Sequence, residues 1–477
     1  MSKPSFYWYD YETWGVNPRF DRPVQFAGIR TDQDLQVIGE PLMLYAKPAP
    51  DFLPHPQAVM VTGITPQQAD TEGVPEVAFF KAIHAEFRQP GSCMVGYNSI
   101  RFDEEVTRFG FYRNFIDPYA YSWQNGNSRW DILDLMRLTH ALRPAGINWP
   151  INEAGTTSFK LTDLTAANDI AQAGAHDAMV DVRATIEMAR LVKQKQPKLF
   201  DFYFKLRHKR RVAELLSPLK PEPLLHVSGM FPAEQGCLAP IVPLLVNLTN
   251  ANEIICYNLR FHPGELLQLD VEQIQQRLYT RTEDLPEGGQ RIPLKGVHLN
   301  KSPALAPVST LNAKQAERWQ IDWHEINKHY DLLLSDPDLI MRLTSVYGAA
   351  ATYETVDADV ALYEGFISQQ DRLTANQLLT ASPAQLKQWP EDSFQDKRLN
   401  TLLFRYRARN FPQTLDQDEL LRWQNFCQSR LLNGEFGARM TIAQFQQQLT
   451  ALAQTEPDHR TQTLLAELSA WLQCIGF

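Results

Sequence analysis

Residues 5–12 read SFYWYDYE, a compact run of aromatic residues that carries two acids. Such a run is typical of a largely buried β-strand. Residues two apart on a strand face the same way, so Asp10 and Glu12 present their carboxylates side by side, with Cα atoms roughly 6.5 Å apart. The two charges repel and are costly to desolvate, and bound cations relieve both costs. A strand end at which both acids reach water would explain the pair equally well.

The chain around this strand alternates strand and helix patterns, as an α/β domain does. Apolar segments 24–31 and 35–46 flank turn-forming residues and predict a hairpin. Residues 177–192 repeat apolar positions with helical spacing. The polar segment 193–198, KQKQPK, ends that pattern. We therefore predict an α/β domain over residues 1–195.

Two further domains are expected, because 477 residues are too many for a single hydrophobic core. Between about 220 and 310, short apolar runs are separated by Pro, Gly and Asn, which predicts a small barrel or sandwich. From about 312 onward the composition and spacing are helical. We predict a domain over 196–350 in which helices flank the barrel, and a mainly helical domain over 351–477.

Composition excludes several classes of protein. The five cysteines form no C-x-x-C pair, which argues against a disulfide framework and against a zinc site. Apolar runs are far shorter than the roughly 20 residues of a membrane helix, and the N-terminus lacks an apolar signal region. We expect a cytoplasmic protein that does not associate with membranes. The net charge of −9 does not exclude a nucleic-acid partner, because binding needs only one basic groove.

Two more acids and a histidine extend the pair on the first strand. Asp103 is expected in the first turn of a helix capped by Asn98-Ser99. Asp181 lies one turn inside the helix predicted over 177–192, and His176 is expected in the loop just before it. Each has an ordinary explanation alone, such as an acid that complements a helix dipole. Together they supply oxygen ligands for two Mg²⁺ ions and a base with a pKa near neutrality, as two-metal phosphodiester hydrolysis requires.

These residues resemble, in chain order, the motifs of the DEDDh 3′→5′ exonucleases. The motifs are Asp10-x-Glu12-Thr13, Val61-Thr62-Gly63-Ile64-Thr65, Asn98-x-x-x-Phe102-Asp103 and His176-x-x-x-x-Asp181. Segments 21–27, 111–115, 128–131, 226–230 and 406–412 resemble the bacterial exonuclease I family in particular. The resemblance implies an α/β, ribonuclease-H-like exonuclease domain, then a small SH3-like β-barrel domain and a mainly helical C-terminal domain. The last two would close a groove around single-stranded DNA.

The resemblance also implies a role for each site residue. Carried over by position, the metal ligands are Asp10, Glu12, Asp103 and Asp181. They would hold two Mg²⁺ ions, or Mn²⁺ in their place, with His176 as the general base. Thr13 would lie beside the terminal nucleotide. At Lys160 the family pattern has an arginine that contacts substrate, and lysine keeps the charge but loses the planar bidentate fork.

A segment rich in arginine and aromatic residues follows Asp103. Aromatic faces stack on any base and arginines follow phosphates, a mixture that suits sequence-tolerant binding of single strands. A core of aromatics with a solvated basic face explains any single one of these residues equally well. By resemblance the DNA contacts are Arg108, Tyr119, Trp123, Arg137 and Arg143. Further along, Arg405, Arg407 and Arg409 fit either a groove lining or a solvated helix end.

We therefore expect a monomeric exodeoxyribonuclease that degrades single-stranded DNA in the 3′→5′ direction to 5′-mononucleotides, in DNA repair and recombination. The resemblance implies single-stranded DNA-binding protein as a partner, through its C-terminal tail. Two alternatives remain open. A DEDDh exoribonuclease acting on short RNA would share the metal chemistry, but such enzymes resemble only about the first 190 residues. A non-catalytic single-stranded DNA clamp should have lost an acid or the histidine, and all five positions are filled.

Overall fold

The computed structural model describes residues 3–171, 177–285, 290–348, 356–455 and 457–476. The chain divides into two compact units. Unit 1 comprises residues 1–128, 172–183 and 353–477, and unit 2 comprises residues 129–171 and 184–352. The division into three domains at residues 195 and 350 stays a prediction. Across the described ranges, none of the helices is long and apolar enough to cross a membrane.

The first sheet contains the strand with which the sequence analysis began. Its strands are β1 (Ser5–Thr13), β2 (Pro23–Thr31), β3 (Leu42–Tyr45), β4 (Ser92–Gly96) and β5 (Ser128–Asp131), in the order β3-β2-β1-β4-β5. β1 pairs antiparallel with β2 and parallel with β4. The predicted hairpin is confirmed, since β2 pairs antiparallel with β3. Its second strand is shorter than predicted, because Gly39 has a left-handed φ of 80° and Pro41 cannot donate to a ladder.

The aromatic residues of β1 are buried on both faces of the sheet. Tyr9 and Tyr11 pack on one face against Phe26, with ring centroids 6.2 and 5.0 Å away. On the other face, Trp8 donates its indole N–H to Thr31 Oγ1 at 2.8 Å. Alternation places Asp10 and Glu12 on the same face as Trp8. The acids therefore stand at the end of a strand that its aromatic neighbours hold in place.

The first 195 residues also contain seven α-helices of the described chain, which lie between and after these strands in sequence. They are α1 (Pro56–Thr62), α2 (Pro66–Glu72), α3 (Glu76–Phe87), α4 (Asp103–Arg113), α5 (Ile132–Leu142), α6 (Leu161–Ala167) and α7 (Ala178–Lys195). The helix predicted over 177–192 is confirmed as α7. The predicted cap of α4 is wrong: Asn98 has a left-handed φ of 63° and Phe102 occupies the cap position. The backbone carbonyls of Asn98 and Ser99 instead accept the N–H groups of Arg101 and Glu104, at 3.2 and 2.8 Å.

The strands predicted between 220 and 310 form a second sheet, in unit 2. They are β6 (Leu224–Val227), β7 (Leu238–Val246), β8 (Glu253–Asn258), β9 (Leu294–His298) and β10 (Ala304–Pro307), all antiparallel in the order β10-β6-β7-β8-β9. The register of the longest strand shifts between Pro243 and Leu245, where proline removes a ladder donor. The predicted set of short strands is confirmed.

Helices make up most of the rest of the chain, as predicted from residue 312 onward. Unit 2 continues with α8 (Pro197–Lys205), α9 (Lys209–Leu215), α10 (Gly264–Gln268), α11 (Val271–Tyr279), α12 (Ala313–Arg318), α13 (Trp323–Leu334) and α14 (Leu339–Gly348). Unit 1 ends with α15 (Gln369–Thr380), α16 (Pro383–Lys387), α17 (Lys397–Asn410), α18 (Gln417–Asn433), α19 (Ile442–Ala453) and α20 (His459–Cys474).

Three arginines of α17 are buried in ion pairs within unit 1. Their partners are Asp357 for Arg405, Glu419 for Arg407, and both Asp51 and Asp359 for Arg409, at 2.6–2.7 Å. Both sequence interpretations of these arginines, a groove lining and a solvated helix end, are wrong. Asp51 lies between β3 and β4 in the chain, so the ion pairs of Arg409 fasten the C-terminal helices to the part of unit 1 that carries the first sheet.

Candidate metal centre and catalytic site

The structure brings together three of the four predicted metal ligands. One carboxylate oxygen each from Asp10, Glu12 and Asp181 lies within 4.8 Å of the others. The first two stand at the end of β1, and the third stands in the first turn of α7. Carboxylate oxygens at this spacing are suitable ligands for a hard divalent cation.

The fourth acid, Asp103, packs directly against the strand that carries the first two. It is the first residue of α4 and is 3% exposed. Its Oδ1 accepts the backbone N–H of Tyr11 at 3.1 Å, and Tyr11 lies between Asp10 and Glu12. Among the charges that act on Asp10, the carboxylate of Asp103 raises its pKa most. The structure thus places four acids around the end of one strand.

The protonation of these acids reflects their crowding. Burial raises the pKa of Asp10 well above its usual range, and the carboxylates of Asp103, Glu12 and Asp181 raise it further. Burial likewise raises the pKa of Glu12 from 4.5 to about 8, with Asp181 and Asp103 adding to the shift. Burial and mutual repulsion thus oppose the charged forms of Asp10 and Glu12, and bound cations relieve both effects. The residues present therefore fit a site for divalent metal ions.

The segment before α7 is described only from Asp177 onward, so His176 lies outside the described residues. Asp177 caps the helix, because its Oδ1 accepts the N–H of Met179 at 2.9 Å. Gln25 of β2 holds the same helix start through a hydrogen bond from the N–H of Ala178, at 3.0 Å. Gln25 is not among the site residues predicted from the sequence, although one amide in the apolar strand segment PVQFAG is a recognisable departure from its surroundings.

Two predicted substrate contacts lie at the ends of secondary-structure elements. Thr13 is the last residue of β1, and its hydroxyl donates to the carbonyl of Gly15 at 2.5 Å. The β1–β2 register shifts between Glu12 and Thr13, which sets Thr13 apart from the regular ladder. Lys160 occupies the cap position of α6 in unit 2 and is exposed. The roles of both residues in substrate binding stay predictions.

The predicted DNA contacts differ in how available their side chains are. Trp123 is 64% exposed, and Tyr119 is 38% exposed. Arg108 is only 8% exposed: its guanidinium pairs with Glu104 at 2.5 Å and with Glu105 at 3.0 Å. The same guanidinium lies 5.3 Å from the ring centroid of Tyr119. In unit 1, therefore, the two aromatic rings are the more accessible of these candidates.

The two predicted contacts in unit 2 also have intramolecular partners. Arg137 pairs with Asp134 at 3.0 Å. Arg143 donates to the carbonyl of Leu142 at 2.5 Å and to that of Thr310 at 3.0 Å. A guanidinium has five N–H donors, so these bonds leave donors for a phosphate. Their roles as DNA contacts stay predictions.

Family models match the chain in three consecutive segments. The model described as "Exonuclease" matches residues 7–189, "Exonuclease I SH3-like domain" matches residues 207–349, and "Exonuclease I C-terminal domain" matches residues 356–475. The chain is 47% identical over 420 residues to exodeoxyribonuclease I of Escherichia coli (strain K12), covering 88% of each chain. It is 46% identical over 429 residues to that of Haemophilus influenzae, covering 90% of each.

Solved structures resemble the whole chain. Exonuclease I from Methylocaldum szegediense superposes with a TM-score of 0.94 at 45% identity, over 99% of both chains. E. coli exonuclease I in complex with a dA16 oligonucleotide superposes with a TM-score of 0.95 at 43% identity, over 99% of this chain and 100% of that one. A structure described as SSB/exonuclease I with an inhibitor has a TM-score of 0.92 at 42% identity, over 99% and 100% of the two chains.

Proposed function

We propose that this chain, which belongs to the exonuclease I family, hydrolyses single-stranded DNA from its 3′ end and releases 5′-mononucleotides. One observation carries the proposal: oxygens of Asp10, Glu12 and Asp181 lie within 4.8 Å of one another. Asp103 is hydrogen-bonded to the strand between the first two. These are the four acids that the exonuclease motifs require, and they come from three separate elements.

An exonuclease domain of this kind depends on divalent metal, and we propose that the ions are two Mg²⁺. The ligands would be Asp10, Glu12, Asp103 and Asp181. When bound, such ions would supply Lewis acidity, which would lower the pKa of a water nucleophile and offset negative charge on the phosphate and on the leaving 3′ oxygen. The proton of that water would pass to His176, which lies just before α7 in the chain. Mn²⁺ has similar ligand preferences and would support the same chemistry.

The protein's own contribution is to hold the acids rigidly before substrate arrives. Asp10 and Glu12 stand on a strand whose aromatic residues are buried on both faces, so the core fixes the backbone from which both carboxylates project. Asp103 is restrained by its bond to the N–H of Tyr11. Preorganised acids need little rearrangement during the reaction, which is how enzymes stabilise developing charge efficiently.

Two observations favour DNA over the RNA alternative. The chain matches family models for the two domains that follow the exonuclease domain, over 207–349 and 356–475, whereas the resemblance to RNA-trimming enzymes covers only about 190 residues. The related E. coli enzyme has been crystallised with a dA16 oligonucleotide. We propose that Tyr119 and Trp123 stack on bases, that Thr13 contacts the terminal nucleotide, and that Lys160, Arg108, Arg137 and Arg143 approach phosphates.

We further propose that the chain works with single-stranded DNA-binding protein, because a structure of SSB with exonuclease I is among its relatives. An enzyme that removes single strands would serve DNA repair and recombination. In a bacterium that work takes place in the cytoplasm, where the genome lies. The non-catalytic clamp is disfavoured, because its expected loss of an acid has not occurred at any of the four positions.

The test is a product ladder on 5′-labelled strands of DNA and RNA, single and double, with and without EDTA. We expect stepwise shortening of single-stranded DNA from the 3′ end that stops in EDTA. Asp181→Asn should abolish this release while circular dichroism stays unchanged. Asp70→Asn serves as the matched control, because Asp70 is an exposed acid that pairs with the exposed Lys47 at 3.4 Å, away from the four acids in the chain. Undiminished release by Asp181→Asn, or faster shortening of RNA than of DNA, would reject the proposal.

A further inference from the structure

Gln25 is a buried amide on the strand next to the metal-binding acids. It lies within β2, is 1% exposed, and is the direct cross-strand partner of Glu12. Side chains of directly opposed residues in an antiparallel pair project from the same face of the sheet. The amide of Gln25 therefore lies on the face that carries the acids. A buried amide is costly unless its donors and acceptor are satisfied, so its bonds must matter to the fold around it.

Two hydrogen bonds of Gln25 connect the sheet to the helix that carries Asp181. Its Oε1 accepts the N–H of Ala178 at 3.0 Å, and its Nε2 donates to the hydroxyl of Tyr45 at 3.1 Å. Ala178 is the first residue of α7, where a backbone N–H has no acceptor within the helix. Because that group can only donate, it fixes which end of the amide faces α7. The hydroxyl of Tyr45 holds the other end.

We propose that Gln25 is a positioning residue for the nuclease reaction, by tying the start of α7 to the strand opposite Glu12. The tie sets how closely Asp181 approaches Asp10 and Glu12, and therefore the spacing of the cation ligands. Ala178 lies three residues before Asp181, so the same bond restrains the first turn of the helix that carries this acid. This inference rests on the proposed function, in which those acids hold the metal ions.

Small displacements of such a centre have large effects. Ligands and catalytic groups need placement to within roughly 0.5 Å, and a misplacement of about 1 Å can cost on the order of 100-fold in rate. Gln25→Met has nearly the same length and volume but offers neither bond. We expect it to lower kcat by about 10- to 100-fold and to weaken metal binding about 10-fold. KM for single-stranded DNA should change less than about threefold, because the proposed DNA contacts are other residues.

Two variants separate positioning from general damage. Gln25→Glu keeps a side-chain oxygen that can accept the N–H of Ala178, so it should retain kcat within about threefold. Asn127→Leu is the matched control. Asn127 is also buried, and its Oδ1 accepts the N–H of Ser92 at 3.0 Å. Ser92 pairs with Ser5, at the end of β1 farthest from the acids. Loss of the Asn127 amide should therefore lower the melting temperature without changing kcat or metal affinity.

The experiment measures kcat and KM on a 5′-labelled single strand, the melting temperature, and the affinity for Mn²⁺ by isothermal titration calorimetry. The proposal is supported if Gln25→Met has a lower kcat and binds Mn²⁺ more weakly than the unmodified chain. Gln25→Glu should recover both quantities, and Asn127→Leu should lose neither. Equal Mn²⁺ affinity in Gln25→Met and the unmodified chain overturns it, as does a rise in KM at constant kcat. Failure of the unmodified chain to shorten DNA would instead refute the proposed function, while the Mn²⁺ titrations still decide the role of Gln25.

Discussion

Two half-buried glutamates of unit 1 should respond oppositely to the same substitution. Burial raises the pKa of Glu12 from 4.5 to about 8, with Asp181 and Asp103 adding to the shift. Burial also acts to raise the pKa of Glu76, but Arg113 and Arg22, at 2.8 and 3.1 Å, outweigh it and bring the pKa down to about 2. Glutamine has nearly the same shape as glutamate and carries no charge. We predict that Glu12→Gln stabilises the metal-free protein and that Glu76→Gln destabilises it.

The magnitudes follow from linkage between proton binding and folding. Because the pKa of Glu12 is higher in the folded state, the metal-free fold loses stability as pH rises from about 4.5 towards 8. The cost is about 1 kcal/mol at pH 5 and about 3 kcal/mol at pH 7. Glu76 has a lower pKa in the folded state, so its contribution of about 3 kcal/mol is present above pH 4.5 and is lost as pH falls towards 2.

The assay is urea unfolding in EDTA at pH 5 and pH 7, followed by tryptophan fluorescence. At pH 7 we expect Glu12→Gln to gain about 3 kcal/mol and Glu76→Gln to lose about 3 kcal/mol. The gain of Glu12→Gln should shrink to about 1 kcal/mol at pH 5. Added Mg²⁺ should stabilise the unmodified chain more than Glu12→Gln. If Glu12→Gln is no more stable than the unmodified chain at pH 7, or if its gain is the same at both pH values, the electrostatic reasoning is wrong.

Three further outcomes are expected. EDTA should lower the melting temperature more at pH 8 than at pH 6, because protons relieve the repulsion among the acids at lower pH. Equal shifts of the melting temperature in differential scanning fluorimetry would contradict this prediction. Trp123→Ala should raise KM for single-stranded DNA about 5- to 100-fold at nearly constant kcat, as loss of one stacked base predicts, and an unchanged KM in steady-state assays would remove Trp123 from the DNA contacts. Arg409→Met should lower the free energy of unfolding in urea by about 3–5 kcal/mol, because it leaves Asp51 and Asp359 buried without their strongest partner. A loss below about 1 kcal/mol would show that the other arginines suffice to stabilise these aspartates.

Local patterns predicted the elements that position the site. The aromatic run at 5–12 is a strand, alternation places Asp10 and Glu12 on one face, and the periodic segment at 177–192 is helix α7. These predictions succeeded because side-chain alternation and helical periodicity depend on neighbouring residues alone. The convergence of Asp181 on the strand is a long-range contact, and only the resemblance to the exonuclease motifs indicated it before the structure did.

The wrong predictions share a physical cause. Asn98 was expected to cap α4 because its residue type favours caps. Its backbone is left-handed instead, and the carbonyl of Ser99 accepts the N–H of Glu104 in the first turn of α4. Arg405 and Arg409 were expected near solvent because arginine usually is, yet each is paired with aspartates from distant parts of unit 1. Residue type gives an average preference, and only a distant partner decides whether a charge is buried. The pairing of Gln25 with the start of α7 escaped the sequence analysis for the same reason.

The energies at Glu12 and Glu76 explain how one fold can carry such a crowded set of acids. A site that binds cations must keep carboxylates close together before the cations arrive, and that costs about 3 kcal/mol at pH 7 for Glu12 alone. A similar amount comes from Glu76 and its arginines in the same unit. Bound cations relieve this repulsion, so the energy that it costs the metal-free protein favours metal binding. Because protons compete with the ions for the carboxylates, the affinity for the ions must rise with pH until the acids are deprotonated. The repulsion among the acids at the end of β1 is therefore part of the driving force for metal binding. The buried ion pairs of unit 1 offset its cost, so the metal-free chain remains folded.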